Sequence, residues 1–262
     1  MSSLGIGTGY VASAVSAELR GQGVHVTQTS RSARPGTEHV SNGAELDHLL
    51  ASTEWDQVVV YGQLTSPIDW VLERIDGPRW LVFSSHQLGS AFPAPNTRPA
   101  LAREELAASR GACVLRPTMI YGRGGDRNLS RSARMIRRWR FGIVPGPGTQ
   151  AIQPVHVDDI ASLVNAHLGA PRPGVFPVAG PEPTPIREVV KLLTEIVGAR
   201  TPPIVLPAVT RWRRLAGLAG LRQDQLERLS ESKTTEISAT TAAFGWQPAA
   251  LGIRLEQAVR EL

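Results

Sequence analysis

The stretch "GIGTGYVA" at residues 5–12 decides the fold predicted for this chain. It follows a short apolar run, "SSLGI", and opens a segment with apolar residues at helical spacing, "YVASAVSAELRGQG". Gly7, Gly9 and Ala12 form a G-x-G-x-x-A pattern. In that pattern the first glycine permits a tight turn, the second lets a pyrophosphate approach the backbone, and the small third residue allows helix and strand to pack closely. The helix N-terminus would then face the phosphates. The pattern predicts a dinucleotide-binding loop made of Gly7, Thr8, Gly9, Tyr10, Val11 and Ala12.

The end of the second predicted strand indicates which nicotinamide dinucleotide this loop would bind. An acidic side chain at that point would hold the ribose hydroxyls of NAD. The segment "TQTSRSAR" at residues 27–34 contains no acid, and the next one along the chain is Glu38. Ser30, Arg31 and Arg34 are instead suited to a 2′-phosphate, because they offer hydrogen-bond donors and positive charge. We therefore predict NADP(H) as the cofactor.

The first half of the chain alternates short apolar segments with segments of helical periodicity. The clearest strand pattern is "DQVVVYG" at residues 56–62, with three consecutive valines. Such strands indicate a parallel sheet covered by helices on both faces, and right-handed crossovers make that sheet doubly wound. We predict an α/β fold, a doubly wound parallel Rossmann sheet with a small C-terminal substrate lobe. The Rossmann part is assigned to residues 1–122, continued by about 151–170, and the lobe mainly to 123–150 and 171–262.

The composition excludes several classes of protein. With 262 residues, 42% of them hydrophobic, the chain can bury a substantial core, and disorder is not expected. No apolar run approaches the roughly 20 residues that a membrane helix needs, and no signal peptide is visible. The single cysteine, Cys113, lies in an apolar run and is expected to be a buried hydrophobic residue. One cysteine permits no internal disulfide, so a cytoplasmic location is expected. No metal site is predicted.

The charge balance is basic, with a net charge of +5, and only two of the 28 basic residues are lysines, Lys191 and Lys233. The densest run is "RSARMIRRWRFG" at residues 131–142. We interpret it as a solvated helix face. The alternative is an anionic ligand clamped by these arginines, or by those of "TRWRRL" at residues 210–215. Nucleic acid is not an expected partner, because no aromatic interleaving or known binding motif accompanies the arginines.

Several motifs together resemble the extended short-chain dehydrogenase/reductase family, which contains the epimerases and dehydratases of nucleotide sugars. The glycine loop is similar to that family's glycine motif, and "LVFSS" at residues 81–85 resembles the strand that ends in its catalytic Ser or Thr. The similarity continues nearly to the chain end in segments of recognisable pattern: "DQVVVYGQ" at 56–63, "VLRPTMIYGRGG" at 114–125, "QPVHVDDIASLVNAHL" at 153–168 and "FGWQPA" at 244–249. The resemblance implies a small-molecule substrate held between sheet and lobe, and a homodimer formed through two helices.

The resemblance also implies a catalytic Tyr-x-x-x-Lys pair at the start of the helix after "LVFSS". In that chemistry tyrosinate exchanges a proton with the substrate hydroxyl, while lysine lowers the tyrosine pKa and binds the nicotinamide ribose. Here the tyrosine position falls near Asn96 and the lysine position near Ala100, in "APNTRPALAREELAAS". No Tyr-x-x-x-Lys exists elsewhere, because Arg187 and Leu229 stand four residues before the two lysines. We expect an atypical active site.

Other side chains remain as candidates for the chemistry. Ser85 and His86 follow a predicted strand end, and imidazole titrates near neutral pH. Tyr121 also follows a strand and is a third catalytic candidate, with a structural role lining the pocket as the alternative. Ser84 and Pro117 are assigned to the cofactor site. A set of neighbouring polar residues is expected to be solvated, capping or structural: Asp56, Glu104, Glu105 and His156.

Three functional interpretations stay open. The chain could be an enzyme whose acid and base groups have moved to new positions. It could be a reductase of activated double bonds or iminium ions, which needs no strong protein acid. It could also be a non-catalytic NADP-binding sensor or subunit, or a non-redox isomerase or cyclase built on the same fold.

Overall fold

The computed structural model describes residues 1–32, 34–62, 64–126, 128–145, 147–200, 203–206 and 231–262. Its strands, in chain order, are β1 (Ser2–Ile6), β2 (His25–Ser30), β3 (Glu38–His39), β4 (Gln57–Val60), β5 (Trp80–Phe83), β6 (Cys113–Pro117), β7 (Ile120–Tyr121), β8 (Ile143–Pro145), β9 (Ala151–Ile152), β10 (Val155–His156), β11 (Gly174–Val178), β12 (Thr184–Pro185) and β13 (Ile204–Leu206). The helices are α1 (Tyr10–Gly21), α2 (Gly43–Ser52), α3 (Asp69–Leu72), α4 (Thr97–Ser109), α5 (Leu129–Trp139), α6 (Val157–Gly169), α7 (Ile186–Ile196), α8 (Ser238–Phe244) and α9 (Leu251–Arg260), with a 3-10 helix at His86–Gly89.

Seven of the strands form one parallel sheet in the order β11-β6-β5-β4-β1-β2-β3. The chain runs outward from β1 through β2 to β3, then crosses back to β4 on the other side of β1. The strand order therefore reverses between β1 and β4. Such a reversal opens a crevice at the carboxyl ends of the strands, which is where ligands bind in doubly wound sheets. The predicted fold class is confirmed.

The three consecutive valines of β4 show why the strands carry no polar alternation. Val58 and Val60 belong to the core on one face of the sheet, together with Leu46 of α2. Val59 belongs to the core on the opposite face, where Val15 of α1 also lies. Both faces are covered by helices, so both sets of side chains are removed from water. Cys113 is fully buried in this second core, as expected, and burial raises the pKa of its thiol to about 12.

A third core forms the smaller lobe, beyond the carboxyl ends of the sheet strands. Helices α5, α7 and α9 pack together there through Ile136, Leu193 and Leu255. Among the residues that the structure describes, no helix has the length and apolar composition needed to cross a membrane.

The structure corrects several details of the sequence-based prediction. Strand β11 was assigned to the lobe but lies at the edge of the central sheet, paired with β6, and α8 packs on it. The apolar pattern of residues 112–122 predicts one strand, but the structure divides this segment into β6 and β7; between them the Thr118 N–H donates to the Val178 carbonyl at 2.9 Å. The pattern of residues 66–77 predicts a helix, but only α3 within this segment is an α-helix. The sequence also predicts helices at 209–220 and 224–232; the first and most of the second lie outside the described residues.

Candidate functional site

The glycine loop joins β1 to α1 at the reversal of strand order. Gly7 and Gly9 have φ values of 105° and 145°, which side-chain-bearing residues rarely adopt. A Cβ added at Gly9 would meet nothing within 4 Å, so the backbone there faces open space. Ala12 is 1% exposed and packs beneath the loop. The N–H of Gly7 donates to Thr29 Oγ1 at 3.4 Å, and the open space at Gly9 leaves room above the loop for a pyrophosphate at the N-terminus of α1.

A cavity of about 510 Å³, which we call the dinucleotide cavity, opens over this loop. Its wall contains every residue predicted for the loop and for the ribose phosphate: Gly7, Thr8, Gly9, Tyr10, Val11, Ala12, Ser30, Arg31 and Arg34. The structure therefore brings together two segments that are separate in sequence, the loop after β1 and the end of β2. The shape and lining of this cavity fit a dinucleotide.

The far end of the dinucleotide cavity carries the arginines. Arg31 and Arg34 are exposed, and within the described part of the chain neither makes an ion pair. The Ser30 hydroxyl accepts a hydrogen bond from the Ser32 N–H at 3.3 Å, which shapes the turn after β2. No acidic side chain of the described residues lines the cavity. This end can receive a phosphate without rearrangement of an existing ion pair.

A second cavity, of about 430 Å³, lies over the carboxyl ends of β4, β5 and β6, and we call it the strand-end cavity. It shares Val11, Tyr61 and Gly62 with the dinucleotide cavity, so the two adjoin. The predicted Ser84, Ser85 and Pro117 line it. Asn96, which directly precedes α4, and Ala100 of α4 do so too, near the positions where the resemblance places a Tyr and a Lys. Apolar side chains form much of the remaining wall: Leu64, Phe83, Leu88, Phe92, Ala94 and Ile120.

Ser85 is fixed by a local hydrogen bond. Its hydroxyl accepts from the Gln87 N–H at 3.2 Å and so caps the 3-10 helix that begins at His86. The backbone of Ser84 donates from its N–H to the Leu115 carbonyl at 2.8 Å, which ties the end of β5 to β6. These bonds fix the backbone of Ser84 and the hydroxyl of Ser85 at the carboxyl end of β5, directly before His86.

His86 lines a third cavity, of about 380 Å³, which adjoins the strand-end cavity through Val11, Gln87 and Thr118. Partial burial lowers the pKa of His86, and the positive charges of Arg116 and Lys233 lower it further, while Glu231 opposes them. The imidazole is therefore neutral at pH 7 and ready to accept a proton.

Lys233 also lines the third cavity, although the sequence gives it no site role beyond the absence of a Tyr four residues before it. Its backbone N–H donates to the Ala151 carbonyl at 2.8 Å, which holds this late segment of the chain against β9. Nearby, the Glu231 carboxylate accepts from the Ser90 hydroxyl at 2.6 Å and from the Ala91 N–H at 2.9 Å. No local pattern could have revealed that a lysine from the last quarter of the chain reaches His86.

Glu104 departs most from its predicted role. It was expected to be solvated or capping, yet it is only 3% exposed. Arg116 donates to both of its oxygens, with Nε at 2.9 Å from Oε2 and Nη2 close to Oε1. The Ser84 hydroxyl donates to Oε2 as well. This hydrogen bonding by Glu104 raises the pKa of Arg116. The ion pair explains how a carboxylate can be buried in α4.

The position of Tyr121 does not fit the catalytic role predicted for it and fits a structural role. It is 1% exposed, belongs to the lobe core, and lines none of the three cavities. Its ring meets that of His156 edge to face with centroids 5.1 Å apart. Burial raises the pKa of Tyr121, which makes proton exchange at neutral pH harder still. His156 is structural, as expected, since its Nδ1 accepts from the Asp158 N–H at 3.2 Å and so caps α6.

The arginine run on α5 supports the lobe rather than the cavities. Arg134, Arg137 and Arg140 donate to the carbonyls of Gly124, Val259 and Gly198 at 2.6, 3.0 and 2.6 Å. No arginine between residues 131 and 140 lines these three cavities; Arg137 lines a separate cavity of about 360 Å³, together with Glu256 and Arg260. The second arginine run, at 210–215, lies outside the described residues.

No protein-family model matches the sequence. One curated relative, the 2-alkyl-3-oxoalkanoate reductase of Stenotrophomonas maltophilia (strain K279a), is 25% identical over 197 residues, which is 66% of this chain and 58% of the relative. The chain thus spans a little over half the length of that relative.

Solved structures are similar over the whole chain. The human epimerase family protein SDR39U1 (isoform 2) with NADPH has a TM-score of 0.78 at 20% identity and covers 100% of both chains. The UDP-glucose 4-epimerase of Thermotoga maritima with UDP-glucose has a TM-score of 0.74 at 16% identity, covering 100% of this chain and 98% of its own. The dTDP-glucose 4,6-dehydratase of Bacillus anthracis with NAD has a TM-score of 0.75 at 14% identity, covering 100% and 96%. The chain therefore has the fold of these epimerases and dehydratases.

Proposed function

We propose that this chain is an extended short-chain dehydrogenase/reductase that binds NADP(H) and acts on a small carbonyl or alcohol substrate through an atypical active site. One observation carries the proposal. The dinucleotide cavity over the glycine loop adjoins the strand-end cavity that Ser84 and Ser85 line, and the two share Val11, Tyr61 and Gly62. A cofactor held in the first cavity can therefore reach a substrate in the second.

The cofactor preference rests on the arginine end of the dinucleotide cavity. Arg31 and Arg34 supply positive charge where the 2′-phosphate of NADP would lie, and Ser30 adds a hydroxyl. The loop glycines supply backbone donors for the pyrophosphate. The similar human structure is described with NADPH, while the similar dehydratase is described with NAD, so the choice between them depends on this chain's own residues.

In the proposed reaction the cofactor provides the hydride and side chains of the protein handle the proton. When bound, NADPH would supply a hydride, and a substrate C=O reduced in this way would also need one proton. His86 is the candidate to move that proton at the substrate oxygen, because it is half-buried and lines the cavity that adjoins the strand-end cavity. Its lowered pKa favours the neutral form, so reduction through His86 is expected to be faster at acidic pH. We further propose that the hydroxyl of Ser85, which lines the strand-end cavity, donates a hydrogen bond to the same oxygen. In the oxidative direction neutral His86 accepts the proton instead.

The wall of the strand-end cavity indicates the substrate class. Leu64, Phe83, Leu88 and Phe92 offer a large apolar surface beside the serines. This lining favours a substrate with a carbonyl group and an apolar body over a nucleotide sugar. The curated relative is named as a reductase of 2-alkyl-3-oxoalkanoates, compounds that have both features.

The direct test measures binding first and turnover second. Dissociation constants for NADPH and NADH would be determined, followed by NADPH oxidation with ketones, 3-oxo acids, enones, imines and UDP-sugars. We expect NADPH binding, and turnover with an apolar 3-oxo compound that falls sharply in His86→Ala. Turnover unaffected in both His86→Ala and Ser85→Ala would favour the reductase that needs no protein acid. Binding with no turnover on any substrate would favour the non-catalytic interpretation, and no nucleotide binding would overturn the proposal.

A further inference from the structure

The buried carboxylate of Glu104 determines what the Ser84 hydroxyl can offer to a ligand. Carboxylate oxygens only accept hydrogen bonds, so the bond between Ser84 Oγ and Glu104 Oε2 uses the hydroxyl proton of the serine. The backbone N–H of Ser84 is also used, since it donates to the Leu115 carbonyl. What remains at Ser84 is a pair of lone pairs on Oγ. In this state Ser84 can accept a hydrogen bond from a ligand but has no free proton to donate to one.

Arg116 keeps Glu104 in that role. Its guanidinium donates to both carboxylate oxygens, so the carboxylate is held in one orientation beside Ser84. Glu104 lies on α4, Arg116 on β6 and Ser84 at the end of β5, so three elements converge on one hydroxyl. Removing any partner would free the hydroxyl proton.

The position of Ser84 relative to the strand order indicates its ligand. Arg31 and Arg34 lie at the end of β2, on one side of the β1/β4 reversal, and Ser84 lies at the end of β5 on the other. A dinucleotide that crosses the reversal with its phosphorylated ribose at the arginines brings its nicotinamide half over β4 and β5. The carboxamide of nicotinamide has two N–H donors and would find an acceptor in Ser84 Oγ.

We propose that Ser84 is the acceptor for the nicotinamide carboxamide N–H and that Glu104, held by Arg116, is the positioning residue that keeps Ser84 an acceptor. This inference rests on the proposed binding of NADP(H). It assigns a role in cofactor orientation to a buried carboxylate that touches neither cofactor nor substrate.

The test compares NADP⁺ with its 3-acetylpyridine analogue, in which a methyl group replaces the amide nitrogen, so the carbonyl is kept and the N–H donors are lost. Dissociation constants are measured by fluorescence or calorimetry, without turnover. We expect Ser84→Ala to weaken NADP⁺ binding by about 3- to 10-fold, the value of one hydrogen bond, and to change analogue binding by less than about 2-fold. Equal weakening of both ligands would overturn the assignment of Ser84.

The role of Glu104 is tested with Glu104→Gln and with the Ser84→Ala/Glu104→Gln pair. We expect Glu104→Gln to weaken NADP⁺ selectively as well, and the double variant to bind no more weakly than Ser84→Ala, since the two residues act as a unit. The matched control is Glu105→Gln, the exposed neighbour on the same helix, which should bind like the wild type. If Glu104 served only the stability of α4, Glu104→Gln would lower the melting temperature, and its effect on NADP⁺ binding would be absent or would add to that of Ser84→Ala. Either result would overturn the inference.

A second variant covers the case in which Glu104→Gln does not fold. Arg116→Lys keeps a positive charge beside Glu104 but cannot bond both oxygens. We expect a smaller but still NADP⁺-selective loss, and wild-type affinity in Arg116→Lys would contradict the positioning role. Failure of the wild type to bind either nucleotide would instead overturn the proposed function, and this inference with it.

Discussion

Nε2 of Gln57 lies 2.7 Å from Nδ1 of His167, beneath the sheet. The same amide nitrogen donates to the Val164 carbonyl at 3.0 Å, so it is the NH₂ end of the side chain that faces the histidine. His167 Nδ1 must therefore accept, and its protonated Nε2 donates to the Pro78 carbonyl at 2.9 Å. The network holds His167 in one neutral tautomer, and burial lowers its pKa to about 4.

Because folded His167 has a lowered pKa, we expect the free energy of unfolding to fall at acidic pH. Below the ordinary pKa of 6.5 the unfolded chain takes up a proton that folded His167 refuses, so stability falls as pH decreases from 6.5 toward 4. We expect about 3 kcal/mol of the free energy of unfolding to be lost across this window. Denaturant unfolding at stepped pH would measure it. His167→Gln should show a shallower slope, whereas exposed His48→Gln should follow the wild type; equal slopes in all three would rule out this origin.

Cofactor selectivity should depend on Arg31. We expect Arg31→Ala to weaken NADPH binding by about 10- to 100-fold, the usual value of a charge-assisted contact to phosphate, and to leave NADH binding nearly unchanged. Titration calorimetry with both nucleotides measures the difference. Arg172→Ala removes an exposed arginine away from the cavities and serves as control. A parallel loss of affinity for NADH in Arg31→Ala would argue against a 2′-phosphate contact.

The glycine loop offers a matched pair of substitutions. An added Cβ would meet nothing within 4 Å at either Gly9 or Gly252, but only Gly9 has a positive φ, of 145°. We expect Gly9→Ala to lower the free energy of unfolding by about 1–3 kcal/mol through backbone strain and to impair nucleotide binding. Gly252→Ala lies in helix α9 and should raise it by about 0.5–1 kcal/mol. Similar effects at both positions would show that conformation is not the cause.

The pH dependence of turnover should follow the titration of His86. Because its pKa is lowered, we expect carbonyl reduction to slow as pH rises through a value below 6.5, and alcohol oxidation to quicken over the same range. His86→Ala should lose about 10²-fold in turnover and this limb of the pH profile with it. Exposed His39→Ala provides the comparison. An unchanged profile in His86→Ala would assign the proton transfer to another group.

Contiguous features could be predicted from the sequence because their geometry is local. The glycine spacing of Gly7 and Gly9 dictates backbone angles within a few residues, and the loop forms as expected. The valines of β4 indicate burial on both faces whichever helices cover them. Arg31 and Arg34 follow a strand whose end necessarily lies at the ligand edge of a parallel sheet.

Roles that depend on distant partners could not be predicted in this way. Glu104 has the spacing of a solvated helix residue, and only the arrival of Arg116 from β6 makes its burial tolerable. Tyr121 is expected from the sequence to follow a strand, as a cavity residue would, yet it is the last residue of the short strand β7, which pairs with β10, and its ring belongs to the lobe core. Lys233 reaches the cavity of His86 through backbone pairing with β9, for which the sequence contains no signal.

By itself, the sequence determined the alternation of strands and helices, the phosphate loop and the absence of a Tyr-x-x-x-Lys pair, because each depends on residues near one another in the chain. Only the tertiary structure decided which polar groups meet around the cavities. The reason is physical: the hydrogen bonding and burial of Ser84, Glu104 and His86 depend on neighbours that chain topology, not sequence proximity, brings within a few ångströms.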